Sequence, residues 1–272
     1  MYLTDYHLHS LFSFDGKETM DAICEQAIRT GISEIAITDH QDIYSNQPYD
    51  GQLQCISWYQ ALIRTAQKYE GRLTVRLGAE LGQPQVNPDQ SKAFLRDYPL
   101  DFVIGSIHNM ADDIDVGTYD YHRTDIHKVY PEYIQWLIHM VQEYPIDVVG
   151  HITYPSRYAE KQTGIRPNLT RYYDQFAELF RTMIQRGIGL ELNTSGLARG
   201  IGDIMPDMEL LKMYQSMGGV LITTGSDAHV TSQIGISAKQ GQELLQAAGF
   251  RYLTVYEKHR PRMIPLGQDG EV

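Results

Sequence analysis

Eight residues able to bind metal ions recur at a restricted set of places in this 272-residue chain. His7 and His9 stand in Asp-Tyr-His-Leu-His-Ser, His40 in Ala-Ile-Thr-Asp-His, and Glu80 in Leu-Gly-Ala-Glu. His108 stands in Ile-Gly-Ser-Ile-His-Asn, His151 in Val-Val-Gly-His, and Asp227 and His229 in Thr-Thr-Gly-Ser-Asp-Ala-His. Imidazole and carboxylate together suit Zn, Mn or Fe better than Ca or Mg alone. Eight ligands are too many for one ion, whereas two or three ions sharing a bridging carboxylate would use them. A bridged pair about 3.5–4 Å apart can generate hydroxide and hold both oxygens of a displacement at phosphorus. Taken singly, each residue has a plainer explanation. A lone buried histidine is more often a hydrogen-bonded core residue than a ligand, and His-x-His occurs by chance as well as for chelation.

What separates the set from chance is where the elements must fall. Short β-rich runs are expected at Tyr2–Tyr6, Glu34–Thr38, Leu73–Gly78, Asp101–Gly105, Ile146–Val149, Gly189–Leu192, Val220–Thr224 and, more weakly, Tyr252–Tyr256. Between them lie amphipathic stretches at Thr19–Thr30, Ser57–Tyr69, Pro131–Tyr144, Leu169–Arg186, Met208–Ser216 and Ala238–Ala248, several closing on glycine (Gly31, Gly187, Gly218, Gly249) as helices often do. Alternating strand and helix with no linker predicts a parallel sheet in one domain over residues 1–272, and seven or eight such units favour closure into a barrel. The eight residues then sit at the carboxyl ends of the strands, where a barrel builds its active site. Six of the ten histidines fall there, while His122, His127, His139 and His259 lie in loops or helices. Dispersed core histidines would not sort that way. Asp15, in the loop after the first strand, is placed to join them. The segment Met110–Lys128 has no clear period and carries five aspartates, which predicts a long loop over one face.

Bulk properties narrow the partner class. A net charge of -11 argues against a nucleic acid or an acidic membrane surface, though not against a small phosphorylated substrate held by metals and a few arginines. No run of 18 apolar residues could form a transmembrane helix. The start, Met-Tyr-Leu-Thr-Asp-Tyr, lacks the basic and apolar regions of a signal peptide. Cys24 and Cys55 alone make no disulfide framework, so a reducing cytoplasm is the expectation. No Walker A loop, GxGxxG or GxSxG elbow occurs.

The ordered motifs, from Asp5 to about Gly249, resemble the polymerase and histidinol phosphatase (PHP) superfamily. Glu191-Leu-Asn-Thr-Ser-Gly-Leu and the lengths between motifs resemble its stand-alone histidinol-phosphate phosphatases. The resemblance implies a distorted (β/α)7 TIM-like barrel with a trinuclear site. One metal would take His7, His9, Glu80 and Asp227. A second would take Glu80, His108 and His151, with Glu80 bridging, and a third Asp15, His40 and His229. It implies hydrolysis of L-histidinol phosphate to L-histidinol and phosphate, a step of histidine biosynthesis. A nucleotide, oligonucleotide or sugar-phosphate esterase on the same site is the alternative. Asp227 and His229 are the candidates for protonating the leaving alkoxide. Arg157 and Arg199, expected in loops after the fifth and sixth strands, carry planar forks suited to a phosphate. A substrate with an amine also fits an acidic protein with an aspartate-rich loop.

Overall fold

The computed structural model of the chain describes residues 1–45 and 52–267. Its strands are β1 (Thr4–Asp5), β2 (Glu34–Ile37), β3 (His40–Asp42), β4 (Thr74–Gly82), β5 (Phe102–Ser106), β6 (Val148–Val149), β7 (Gly189–Asn193), β8 (Ile222–Gly225), β9 (Tyr252–Glu257) and β10 (Arg260–Pro265). Its helices are α1 (Met20–Arg29), α2 (Gln52–Tyr69), α3 (Pro88–Asp97), α4 (Ile126–Glu143), α5 (Tyr154–Thr163), α6 (Tyr173–Arg186), α7 (Ser195–Ala198), α8 (Met208–Ser216) and α9 (Ala238–Ala247).

The helices follow from capping and periodicity. In α1 the Thr19 side chain accepts from the Ala22 N–H, and the buried face Met20, Ile23, Cys24 and Ala27 repeats at helical spacing. α6 ends at Gly187 in the left-handed conformation, φ 68°, where glycine has no Cβ penalty. Strands β1, β2 and β5 to β8 are buried throughout, as parallel strands covered on both faces require.

The parallel sheet runs β1-β2-β4-β5-β6-β7-β8, with β3 also paired to β4. The two ends of this order meet: Tyr6 N–H donates to Thr224 O at 2.9 Å, Asp227 N–H to His7 O at 2.9 Å, and Leu8 bridges Ala228. Seven strands thus close a barrel, with β3 as a short extension. The expected eighth run, Tyr252–Tyr256, does not enter it. That run forms an antiparallel hairpin with β10, and its Val255, Tyr256 and Ile264 pack on Tyr6, Phe102, Ile104 and Val148. The hairpin covers the amino end of the barrel, leaving the carboxyl end for the site.

Two further differences from expectation have local causes. α4 starts at Ile126, capped by Asp125, so Pro131 lies inside the helix rather than at its start. α3 and α5 were not anticipated, each being short and strongly polar. Met110–Lys128 is largely loop as expected, with one 3-10 turn at Val116–Thr118 and the first turn of α4.

Candidate metal centre

All eight strand-end residues and Asp15 converge at the carboxyl end of the barrel. β3 and β4 pair His40 opposite Glu80, so adjacent strands deliver these two together. Glu80 is fully buried at the centre of the group. Its Oε2 lies 3.2 Å from His7 Nε2, 3.5 Å from His9 Nε2 and 3.0 Å from His40 Nδ1. Its Oε1 lies 2.9 Å from His151 Nε2 and 3.3 Å from His108 Nε2. Asp227 Oδ1 is 3.4 Å from His9 Nε2 and 3.9 Å from His7 Nε2. At the outer edge Asp15 reaches His229 Nε2 at 3.0 Å and His40 Nε2 at 3.7 Å. Four overlapping triads have ligand atoms within 4.8 Å of one another: His7, His9 and Asp227; His7, Glu80 and His151; His40, Glu80 and His108; and His9, His40 and His229.

The outer partners of the rings decide which nitrogen faces inward. His7 Nδ1 donates to Glu191 Oε1 at 2.6 Å, and His108 Nδ1 to Asp42 Oδ1 at 2.8 Å. Ser13 Oγ donates to Asp39 Oδ1 at 2.8 Å, so it accepts from His9 Nδ1 at 3.0 Å. His229 Nδ1 donates to the Asp227 carbonyl at 2.9 Å. Four imidazoles are therefore fixed as Nδ1–H tautomers with the Nε2 lone pair turned into the cluster, the arrangement of metal-binding histidines. Ser106 Oγ donates to Glu80 Oε1 at 2.7 Å and aims the carboxylate. Meanwhile His7 Nε2, His9 Nε2, His40 Nδ1 and Glu80 Oε2 are buried with no hydrogen-bond partner. Buried polar groups left orphaned and converging on one another fit a bound cation.

Electrostatics agree. Burial alone would raise the Glu80 carboxyl, but His7, His40 and His108 pull it well below its usual range. Burial likewise opposes ionisation of Asp227, and His7, His9 and His229 overcome it. His9 is pushed down to about 3 by burial and by the neighbouring charge of His40, which keeps its ring neutral and able to ligate. His40 is raised to about 9 because Glu80 and Asp42 outweigh its burial. So many carboxylates in one place demand positive charge, from protons on histidine or from metal ions. Backbone strain marks the same place, since His151 and Asp227 have φ of 21° and 51°.

A cavity of about 440 Å³ opens over the cluster, lined in part by Asp15, Glu80, His108, His151, Asp227 and His229. Both expected arginines line it too, but on different footings. Arg157 is in helix α5, not a loop, and is buried. Its fork holds Asp203 at 3.0 and 3.2 Å, and its Nη1 donates to Ser195 Oγ at 2.6 Å. Arg199 follows α7 and is exposed, and among the described residues its side chain hydrogen-bonds the Asp227 carbonyl alone, at 3.4 Å. Asp39, Asp42, Glu191, Ser13 and Ser106 escaped sequence reasoning. A carboxylate inside a buried strand, as Glu191 is, was the one signal that pointed to any of them.

Comparison with known proteins follows the same lines. The PHP domain family model matches residues 5–195. The histidinol-phosphatase of Lactococcus lactis is 27% identical over 257 residues, covering 93% of each chain. A probable histidinol-phosphatase of Clostridium acetobutylicum is 29% identical over 89% of this chain and 92% of that one. The crystal structure of the Lactococcus lactis histidinol phosphate phosphatase, complexed with Zn, L-histidinol and phosphate, superposes with a TM-score of 0.81 at 25% identity, covering 96% of this chain and 98% of that one. The Listeria monocytogenes putative histidinol phosphatase shares the fold, with a TM-score of 0.74 at 16% identity over 87% of this chain and 99% of that one. On a match spanning most of its length, with the motifs gathered at one end of a seven-stranded barrel, this chain belongs to the PHP domain family.

Proposed function

We propose that this protein is a metal-dependent phosphomonoesterase that hydrolyses L-histidinol phosphate to L-histidinol and inorganic phosphate, a step of histidine biosynthesis. The observation that carries the reading is the cluster itself. Glu80 presents one carboxylate oxygen to His7 and His9 and the other to His108 and His151, as a bridging carboxylate would. The substrate comes from likeness to the Lactococcus lactis enzyme, whose structure holds Zn, L-histidinol and phosphate.

Three divalent ions are proposed: one on His7, His9, Glu80 and Asp227, one on Glu80, His108 and His151, and one on Asp15, His40 and His229. When bound, such ions polarise phosphoryl oxygens and lower the pKa of water. The chain's own residues then have distinct tasks. Glu191, Asp42 and Ser13 hold His7, His108 and His9 in the ligating tautomer. Arg199 is free to take a phosphate oxygen, while Arg157, locked to Asp203 and Ser195, supports the wall behind it. Asp227 and His229 are adjacent at the cavity floor, with Asp227 Oδ1 3.6 Å from His229 Nδ1. Asp227, held ionised, takes a proton from the attacking water as its oxygen bonds to phosphorus, and that proton passes to the departing alkoxide oxygen as the ester P–O bond breaks.

The test is phosphate release by metal-loaded protein from L-histidinol phosphate, an aryl phosphate, phosphoserine, a nucleoside monophosphate and a short oligonucleotide. The expected kcat/KM for L-histidinol phosphate exceeds that for the aryl phosphate by at least about 10²-fold, because a site built for polar groups is penalised when they stay unpaired. A nucleotide or oligonucleotide as best substrate overturns the substrate assignment.

A further inference from the structure

We propose that Asp115 is the specificity residue of this site, taking the primary ammonium group of the substrate. The inference rests on the phosphatase reading above and deepens it. Hydrolysis itself needs only the phosphoryl end of an ester. Preference for an amino alcohol needs a negative charge that faces the cavity and is not already spent.

Five carboxylates line the cavity: Asp15, Asp42, Glu80, Asp115 and Asp227. Four of them lie within 4 Å of a histidine of the cluster. Asp115 is different. Among the described residues no lysine, arginine or histidine pairs with it. Its hydrogen bonds come from neutral donors, the Gly117 N–H at 2.6 Å and the Tyr154 hydroxyl at 3.3 Å to each oxygen. A half-buried carboxylate whose hydrogen bonds come from neutral donors has no ion pair for an incoming cation to displace.

The carboxylate is also held in place. Val116 N–H donates to His108 O at 2.8 Å, and Asn109 bridges Asp115, so this stretch is stitched beside a cluster histidine. Gly117 makes the approach possible, since a Cβ there would meet Tyr154 Oη at 2.9 Å and Tyr158 at 3.1 Å. Tyr154 lies against both His108 and His151, with ring centroids 5.5 and 5.1 Å apart. Asp115 thus stands on the wall beside the His108 and His151 end of the cluster. In the proposed substrate the amine is two carbons from the ester oxygen, so the group that takes the ammonium must stand beside the phosphoryl site, as Asp115 does on the same cavity wall. The four other aspartates of the Met110–Lys128 segment do not line the cavity. Asp112 accepts from Tyr119, Asp120 contacts Arg123 and Asp125 caps α4, while Asp113 bonds Ser45.

The experiment compares L-histidinol phosphate with its deamino analogue, 3-(imidazol-4-yl)propyl phosphate, in the metal-loaded wild type and in Asp115→Asn. Asparagine preserves the oxygen that accepts from Gly117, and Asp115→Ser provides a second variant of smaller volume. The wild type is expected to favour the amine-bearing ester by about 10–100-fold in kcat/KM, the range for a charged hydrogen bond. In both variants that ratio is expected to fall close to one, with unchanged metal content and the loss mainly in KM for the amine-bearing ester. Equal losses on both esters, or an undiminished ratio, overturn the assignment of Asp115. A wild type that hydrolyses the two esters equally well also overturns it but leaves the phosphatase reading standing. A wild type that hydrolyses neither ester while cleaving an aryl phosphate overturns both.

Discussion

Glu191 touches no proposed metal, yet its replacement by glutamine is expected to weaken metal binding. Its Oε1 accepts from His7 Nδ1 at 2.6 Å and its Oε2 from the His151 N–H at 2.8 Å. Glutamine is isosteric but offers one oxygen and one NH2. Whichever way the amide turns, the NH2 confronts a donor. Facing His7, it drives the ring to the other tautomer, with a proton on the Nε2 that must ligate. Facing His151, it strands a buried backbone N–H. The side chain has no room to swing away, since it is 1% exposed and a Cβ on Gly225 would already stand 2.4 Å from Oε1. Losing a charged hydrogen bond costs about 1.5–3 kcal/mol. At about 1.4 kcal/mol per decade this is roughly 10–150-fold, in line with the 10–100-fold typical of residues that orient metal ligands. The assay titrates chelator-stripped Glu191→Gln with Zn²⁺ against a chromophoric competitor, with a thermal melt in chelator as control. Wild-type metal affinity in the variant would refute the reasoning. An absent thermal transition would move the role of Glu191 from the site to folding.

The remaining expectations concern the metals, the proton and the far end of the barrel. Elemental analysis of active protein should find two to three transition ions per chain, and one equivalent or less would sink the trinuclear proposal. His108→Ala should lose metal, while His139→Gln, altering an exposed position on α4, should not; equal loss in both would mean that the strand-end criterion does not identify ligands. Asp227→Asn should lower kcat by roughly 10²–10⁴-fold, the scale of acid–base catalysis, and near-normal kcat with full metal content would remove both of its proposed roles. Tyr6→Phe removes a hydroxyl that donates to Glu34 at 2.5 Å and accepts from the Tyr256 N–H at 2.9 Å, so denaturant unfolding should show a loss of about 1–3 kcal/mol with kcat unchanged. A fall in kcat without that loss would place the hairpin contact in catalysis instead.

How far the sequence reveals this molecule depends on whether a feature is local. The barrel strands are readable because each is a short apolar run, and the residues ending them are readable because a parallel barrel brings every strand end to one face. His7 and His108 lie a hundred residues apart, yet both are marked by what immediately precedes them. The supporting contacts carry no such mark. His108 depends on Asp42 and His7 on Glu191, pairs separated by 66 and 184 positions, and only the closed sheet shows that they meet. The same holds for Arg157, which lines the cavity as the sequence leads one to expect, while its pairing with Asp203, 46 residues away, shows only in the fold. The hairpin misled differently. β9 has the apolar centre of a barrel strand, but the short turn to β10 makes it pair antiparallel and cover the barrel floor. Position along the chain thus predicts which atoms face the cavity. Only the fold decides which of them remain uncommitted, and that is why Arg199 and Asp115, rather than Arg157 and the other four aspartates of the loop, are the groups to test against the two ends of the substrate.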